Sequence, residues 1–250
     1  MADSEQMSTS FGRAAATYEA GRPEYPAAAV EWMLEPVSSR MPLRVADVGA
    51  GTGKLTRAVV ALGAEVVAVD PDPAMLEQLR AGLPEVRAVE GTAERMPLPG
   101  AFVDAVVLGQ AWHWVDPDAG SSEIGRVLRP GGVLGLVWNI RDEREPWVAR
   151  LTEIMHGSNA EQLIADGGPR VASPFAGLER REWAWSRRMS PETVLEMVRS
   201  RSYVITAEPA ERARIEGEVA DHIAQHPSPA TDGSIEMPYV THAFRSVRGA

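Results

Sequence analysis

The sequence predicts an α/β protein: a doubly wound, mainly parallel seven-stranded sheet with a helical cap and N-terminal helices. Three observations carry that prediction. Apolar runs alternate with amphipathic stretches between about residues 43 and 138, the rhythm of right-handed crossovers joining parallel strands. The stretch RVADVGAGTGKL at 44–55 runs from an apolar strand into three alternating glycines and on into a helix. An acid marks the end of each of the first two strands, Asp47 before the glycines and Asp70 further on.

The elements follow in order. FGRAAATYEAGRPEYP predicts a helix, a turn held by two prolines and a second helix starting near Ala27. The first strand, 43–48, feeds the glycine turn and a helix with Leu55, Ala58, Val59 and Leu62 on one face, stopped by Gly63. The second strand, 66–69, ends at Asp70. Asp72 reads as an N-cap with Pro73 at the first helical position, Met75, Leu76 and Leu79 form a buried face, and Gly82 ends the helix. A third strand covers 86–89, and a fourth, 102–108, is long and apolar enough to be central. The fifth, 133–138, follows a turn at Pro130-Gly131-Gly132. Residues 141–180 read as a helix plus a long loop, the kind of insertion that caps a ligand pocket. A strand at 181–189, a helix from Ser190-Pro191 to about Ser200, a polar helix at 209–225 and a final strand at 235–247 complete the pattern. We therefore expect a single domain over 1–250, with an N-terminal lid at 1–40, a cofactor-binding core at 41–140, and a cap insertion and C-terminal strands at 141–250.

Composition narrows the partners. The 250 residues, 44% hydrophobic and 24% charged, suffice for a sizeable core. There is no cysteine, which excludes disulfides, thiolate metal sites and a cysteine nucleophile. The start MADSEQMSTS is polar and acidic, unlike a signal peptide, and no apolar run approaches the roughly 18 residues of a membrane span. A soluble, cytoplasmic protein is expected. A net charge of -10 without a basic block argues against nucleic acid, since phosphate backbones are held by clustered cations. The expected partner is a small molecule, the expected assembly a monomer or homodimer, and no metal is expected.

The glycines permit a tight turn and a close ligand, and the helix behind them offers unpaired N–H groups. The pattern is GxGxG, with Lys54 where a dinucleotide-binding GxGxxG loop has its third glycine. Asp47 decides more. It would repel a pyrophosphate, whereas at ~4 Å and an effective dielectric near 20 it would attract an ammonium group by about 4 kcal/mol before desolvation. Asp70, 21 residues after Gly49, stands where an acid accepts both hydroxyls of a ribose; its ordinary alternative is the N-terminal charge of the next helix. A ligand with a ribose and an amino-acid end satisfies both acids, and S-adenosyl-L-methionine is such a ligand.

VADVGAGTGKLT, VVAVDPDPAML, VEGTAERMPLPGAFVDAVVLGQAWHW and RVLRPGGVLGLVWN, in this order over about residues 40–140, resemble the Rossmann-like class I S-adenosylmethionine-dependent methyltransferases. With FGRAAATYEAGRPEYP and MPYVTHAFRSV the chain is similar to the small-molecule branch that includes trans-aconitate methyltransferase-like proteins. The resemblance implies that Asp47, Gly49 and Gly51 hold the methionine part and Asp70 the ribose. Met75 packs on adenine or is plain helix core. Where many relatives carry an aspartate this chain has Thr92, so adenine recognition falls to Thr92, the Ala93 backbone or Glu94. Arg22 is placed on the cofactor carboxylate, leaving Tyr18 to line the sulfonium, or the two are a helix-end arginine and a staple tyrosine. Ala50, Pro71 and Gln110 complete the expected cofactor set.

Ligands in such sheets bind beyond the carboxyl ends of the strands, so GQAWHWVDP should face the reacting methyl. In an extended backbone His113 would point opposite to Trp112 and Trp114. An indole near the sulfonium would contribute roughly 0.5–2 kcal/mol by cation-π attraction, although Trp112 reads better as wall or core. Methyl transfer from sulfur is an in-line displacement that needs alignment, and a base only when the acceptor carries a proton. His113 is the candidate catalytic residue, as a base or as a group that orients the acceptor. Tyr25, Trp114, Trp147, Arg199 and Tyr203 are candidate acceptor contacts, and Arg199 would suit a carboxylate. The acceptor atom stays open among carboxylate, hydroxyl, amine and indole-type carbon. Competing readings are a non-catalytic module that binds the cofactor and, against Asp47 and Lys54, a nicotinamide oxidoreductase.

Overall fold

A computed structural model of the protein describes residues 23–225 and 233–249. Seven strands form one sheet in the order β3-β2-β1-β4-β5-β7-β6. They are β1 (Arg44–Val48), β2 (Glu65–Asp70), β3 (Arg87–Glu90), β4 (Val103–Gly109), β5 (Leu128–Arg141), β6 (Glu179–Met189) and β7 (Ile235–Val247). β1 pairs in parallel with β2 and β4, β2 with β3, and β4 with β5. The chain moves outward through β2 and β3, then returns to place β4 on the other side of β1. That reversal opens a crevice at the carboxyl ends of β1 and β4, where open sheets bind ligands.

The described helices are α1 (Ala27–Leu34), α2 (Lys54–Val60), α3 (Pro73–Gly82), α4 (Pro117–Val127), α5 (Pro146–Met155), α6 (Asn159–Ala165), α7 (Pro191–Arg199), α8 (Ser202–Thr206) and α9 (Pro209–Gln225). Their starts follow the sequence chemistry. Asp72 accepts from the Ala74 amide at 2.9 Å ahead of Pro73, and Ser190 Oγ accepts from the Thr193 amide at 3.1 Å ahead of Pro191. Asp116 caps α4 in the same way, accepting from the Asp118 and Ala119 amides at 3.0 and 2.9 Å.

Two local expectations are corrected. Leu62 is 38% exposed, because α2 ends at Val60 and Gly63 turns the chain at φ +82°; Thr56 takes a place on the buried face instead. Pro130-Gly131-Gly132 does not precede β5 but lies inside it. Val103 pairs with Leu128 and Ala105 with Val133, and the irregular register between them absorbs the extra residues. At the opposite end of β4 from the crevice the fully buried Asp104 accepts from the Arg44 amide at 3.0 Å, from Arg40 at 2.9 Å and from Arg129 at 3.0 Å. Burial pushes its pKa up, but these donors outweigh it and hold the carboxyl below its usual range.

The chain divides into two compact units. One comprises residues 24–139, 163–183 and 241–250, with a core of Val45, Val107, Val133 and Val137 on the sheet and Met33, Leu55 and Leu79 on the helices. The other includes 140–162 and 184–240, and its own core joins Val148 and Leu151 of α5, Val194 and Val198 of α7, and Ile215 and Val219 of α9. Residues 163–183 and 241–249 thus group with 24–139 in one unit. No helix among the described residues is long and apolar enough to cross a membrane.

Candidate functional site

The crevice is built first from backbone. Gly49, Gly51 and Gly53 have φ of +68°, +55° and +90°, all in the left-handed region, which accounts for their alternation. The Gly49 and Ala50 amides donate to the Val69 carbonyl at 2.8 and 3.1 Å, tying the loop to the end of β2. A Cβ on Gly49 would sit 2.6 Å from that of Ala111, whereas a Cβ on Gly51 would meet nothing within 4 Å. Gly49 is thus needed for packing, and Gly51 faces open space suited to a ligand.

The two acids stand at either side of this loop. Asp47 is fully buried in β1; its Oδ2 accepts from Thr56 Oγ1 of α2 at 2.6 Å, and its Oδ1 has no hydrogen-bond partner. Burial, with a smaller contribution from the nearby Asp70, pushes its pKa up to about 7 against the Thr56 hydrogen bond. A buried acid with an orphaned oxygen is a ready receptor for a cationic donor. Asp70, 6% exposed, accepts from the Gly51 amide at 2.8 Å through Oδ2 and from the Asp72 amide at 2.9 Å through Oδ1. Burial lifts it to about 6, against those two bonds. Each oxygen keeps lone-pair capacity for a ligand hydroxyl. Both roles foreseen for Asp70 are thus compatible in one side chain: it stiffens the loop and the start of α3 while remaining an acceptor.

Around these acids, Pro71 is half-buried and Met75 is 3% exposed on α3. Thr92 is exposed and pairs backbone to backbone with Arg95, at 3.1 and 3.2 Å, while Ala93 is buried. Glu94 accepts from the Asp116 amide at 3.0 Å, so it is a structural acceptor at the start of α4 and not merely a solvated charge. Lys54, the residue in place of a third glycine, pairs with Glu24 at 2.9 Å.

The end of β4 carries the second half of the site. Gln110 sits at φ +56°, a strained conformation for a non-glycine residue, and its Nε2 donates to the Asn139 carbonyl at 2.9 Å. Asn139 donates to the Glu24 carbonyl at 3.1 Å and accepts from Thr241 Oγ1 at 2.7 Å. Tyr25 closes over Gly109, where an added Cβ would lie 2.5 Å from its hydroxyl. Residues 112–114 form a 3-10 turn, not an extended segment, which corrects the expected alternation. The His113 and Trp114 rings consequently lie together, 4.9 Å apart between centroids, while Trp112 is 2% exposed and donates to the Arg170 carbonyl at 3.0 Å as wall. Trp138, fully buried on β5, directs its Nε1–H to His113 Nδ1 at 3.4 Å.

The remaining candidates separate. Arg199, a candidate acceptor contact, pairs with Glu192 at 2.7 Å and Glu216 at 2.9 Å, so its charge is matched by two carboxylates. Trp147 packs on the apolar cluster of α5, α7 and α9, and its carbonyl accepts from His222 Nε2 at 2.8 Å, a structural position. Tyr18, Arg22 and the side chain of Tyr203 lie outside the described residues. Sequence reasoning missed Thr56, Asn139 and Trp138. The last two were visible only as the end of the motif RVLRPGGVLGLVWN.

Comparison with known proteins gives the family. Residues 46–136 match the family described as a methyltransferase domain. Over 245 residues the chain is 46% identical to an uncharacterized methyltransferase of Mycobacterium tuberculosis, covering 96% of each. Over 251 residues it is 31% identical to an uncharacterized methyltransferase-like protein of Schizosaccharomyces pombe, covering 98% of each. Among solved structures, one from Anaeromyxobacter dehalogenans, provisionally described as a type II methyltransferase, is 28% identical with a TM-score of 0.64 over 91% of this chain and 96% of that one.

Proposed function

This chain belongs to the class I S-adenosylmethionine-dependent methyltransferases, and from that membership we propose that it methylates a small-molecule acceptor, with His113 orienting that acceptor. The observation that carries the cofactor assignment is the orphaned Oδ1 of buried Asp47 beside a glycine loop whose Gly51 faces open space. Asp47 takes the ammonium group, the Gly49–Gly51 backbone the methionine portion, and Asp70 the ribose hydroxyls. Pro71, Met75, Thr92, Ala93 and Glu94 lie along the chain on the adenine side, and Gln110 toward the reacting end. When bound, the cofactor supplies an electrophilic methyl group on a cationic sulfur.

The chain's own residues align the acceptor. An indole N–H is only a donor, so the His113 nitrogen facing Trp138 is the acceptor, and a neutral ring carries its proton on Nε2. In that tautomer Nε2 is a hydrogen-bond donor and has no lone pair to take a proton. This supports the orienting role over the base role and favours an acceptor that is already nucleophilic, such as a carboxylate. Tyr25 and Trp114 wall the same end of β4.

The test is incubation with methyl-deuterated cofactor and a cell extract separated into metabolites and macromolecules. Label in the metabolite fraction is expected. Label confined to protein or nucleic acid would overturn the small-molecule reading, and absence of any transfer would favour a non-catalytic binding module.

A further inference from the structure

The helix behind the glycine loop carries a buried hydroxyl to which the cofactor contacts above give no part. α2 starts from Gly53 without a side-chain cap and buries Leu55, Thr56 and Val59. Two of these are apolar, as a core-facing stripe requires, but Thr56 is fully enclosed and polar. A hydroxyl is costly to bury without a hydrogen bond, and threonine is a weaker helix former than the leucine beside it. Its donor is spent on Asp47 Oδ2, at 2.6 Å. The Thr56 amide makes a smaller contribution to the same carboxylate.

The Thr56 bond decides which oxygen of Asp47 a ligand meets. Oδ2 is engaged, and the enclosed Oδ1 is the one left without a hydrogen-bond partner. The hydroxyl also supports the charge, since a donor favours the ionised form of its acceptor. On the flanking strands Asp47 lies beside Ala68 and Val107, both apolar. Asp70 at the end of β2 has the same charge and opposes ionisation. Asp72 caps α3, and Lys54 and Arg57 of α2 reach Glu24 at 2.9 and 3.9 Å. Asp104 and its arginines stand at the opposite end of β4. Burial lifts the Asp47 carboxyl to about 7, and the Thr56 hydrogen bond works against a further rise.

We propose that Thr56 is the positioning residue of Asp47: its hydroxyl holds Oδ2 so that Oδ1 is presented, ionised, to the ammonium group, and the site thereby selects a nucleoside with an amino-acid end. This rests on the cofactor reading given above and deepens it. A nucleoside without the ammonium group gains nothing from Thr56.

The full-length protein and its variants are titrated calorimetrically, between about pH 6.5 and pH 9, with S-adenosylhomocysteine and with methylthioadenosine, which keeps ribose and adenine but has no ammonium group. Wild-type affinity for S-adenosylhomocysteine should level off near the Asp47 value of about 7. In Thr56→Val the levelling-off should move up by about one in pH, the effect of removing one hydrogen bond to a charge. The wild-type to variant ratio, from which the ligand's own titration cancels, should then be roughly tenfold at the acid end and under about twofold at the alkaline end. Thr56→Ser, which restores the donor, should stay within about twofold of the wild type at both ends. Methylthioadenosine should bind Thr56→Val and the wild type within about twofold of each other. Thr56→Ala is read in the same way if the valine variant does not fold. A ratio independent of pH, a ratio of one throughout, a serine variant no better than valine, or equal weakening of methylthioadenosine would each overturn the proposal. Failure of the wild-type protein to bind S-adenosylhomocysteine would instead overturn the cofactor reading.

Discussion

Replacing Asp47 by asparagine separates what this residue does for folding from what it does for binding. Its carboxyl is lifted from an ordinary 3.8 to about 7, a penalty of roughly 4 kcal/mol on the ionised folded form. A raised pKa means that the folded state prefers the protonated acid. The associated stability is full below about pH 4 and is lost as pH rises through about 7. The introduced amide can keep the acceptor for Thr56 Oγ1 but leaves its own N–H donors without a partner, a cost of about 1–3 kcal/mol. The variant should therefore be less stable than the wild type near pH 4 and more stable by about 1–3 kcal/mol at pH 8. Binding should move in the opposite direction. Loss of an ammonium pair worth at most about 4 kcal/mol should weaken S-adenosylmethionine by roughly tenfold to a thousandfold at pH 8. Wild-type affinity should rise with pH up to about 7 and then level off, while the variant's should stay flat over that range. Urea denaturation and calorimetric titration across pH 5 to 8.5 measure both. Unchanged cofactor affinity in Asp47→Asn, with the wild-type pH slope retained, would refute the reasoning.

Gly51→Ala should cost only about 1–2 kcal/mol of stability, from its left-handed φ in otherwise open space, yet weaken the cofactor at least tenfold, whereas Gly49→Ala should reduce both because it strikes Ala111; thermal melts and titrations compare them. Asp104→Asn should destabilise the fold by about 3 kcal/mol without changing cofactor affinity in the folded protein, and in the wild type this contribution should be full above the ordinary carboxyl value of 3.8 and fade as pH falls below it through the lowered pKa; urea curves for both proteins at pH 7 and at about pH 2.5 check the sign. His113→Gln, which keeps a side-chain donor, should retain more turnover than His113→Ala, with little change in cofactor affinity; equal loss in the two would remove the donor role. Trp138→Phe should impair turnover through His113 while leaving cofactor affinity within about twofold, which a loss of fold would not do.

Much of the fold could be read from the chain because its signals are local. Asp72-Pro73 and Ser190-Pro191 start helices by hydrogen bonds that span two or three residues, and the loop's glycines answer a backbone demand at their own positions. What escaped depends on distant partners. Asn139 draws its meaning from Gln110, Glu24 and Thr241, and Trp138 from His113, none of which a periodicity reveals. Arg199 looked available because its partners Glu192 and Glu216 lie on two different helices. The extended reading of AWHW failed because strand alternation was carried past Gly109, where the chain turns through Gln110 into a 3-10 segment. The division into two units was equally hidden, since each unit gathers segments far apart in sequence.

Asp70 joins the glycine loop to the proposed ribose site. Calorimetric titration of S-adenosylmethionine into the wild type and Asp70→Ala, both confirmed folded by circular dichroism, tests it. One site in the wild type and loss of at least tenfold in affinity in the variant are predicted. Equal affinity in the two proteins would contradict the placement of the cofactor.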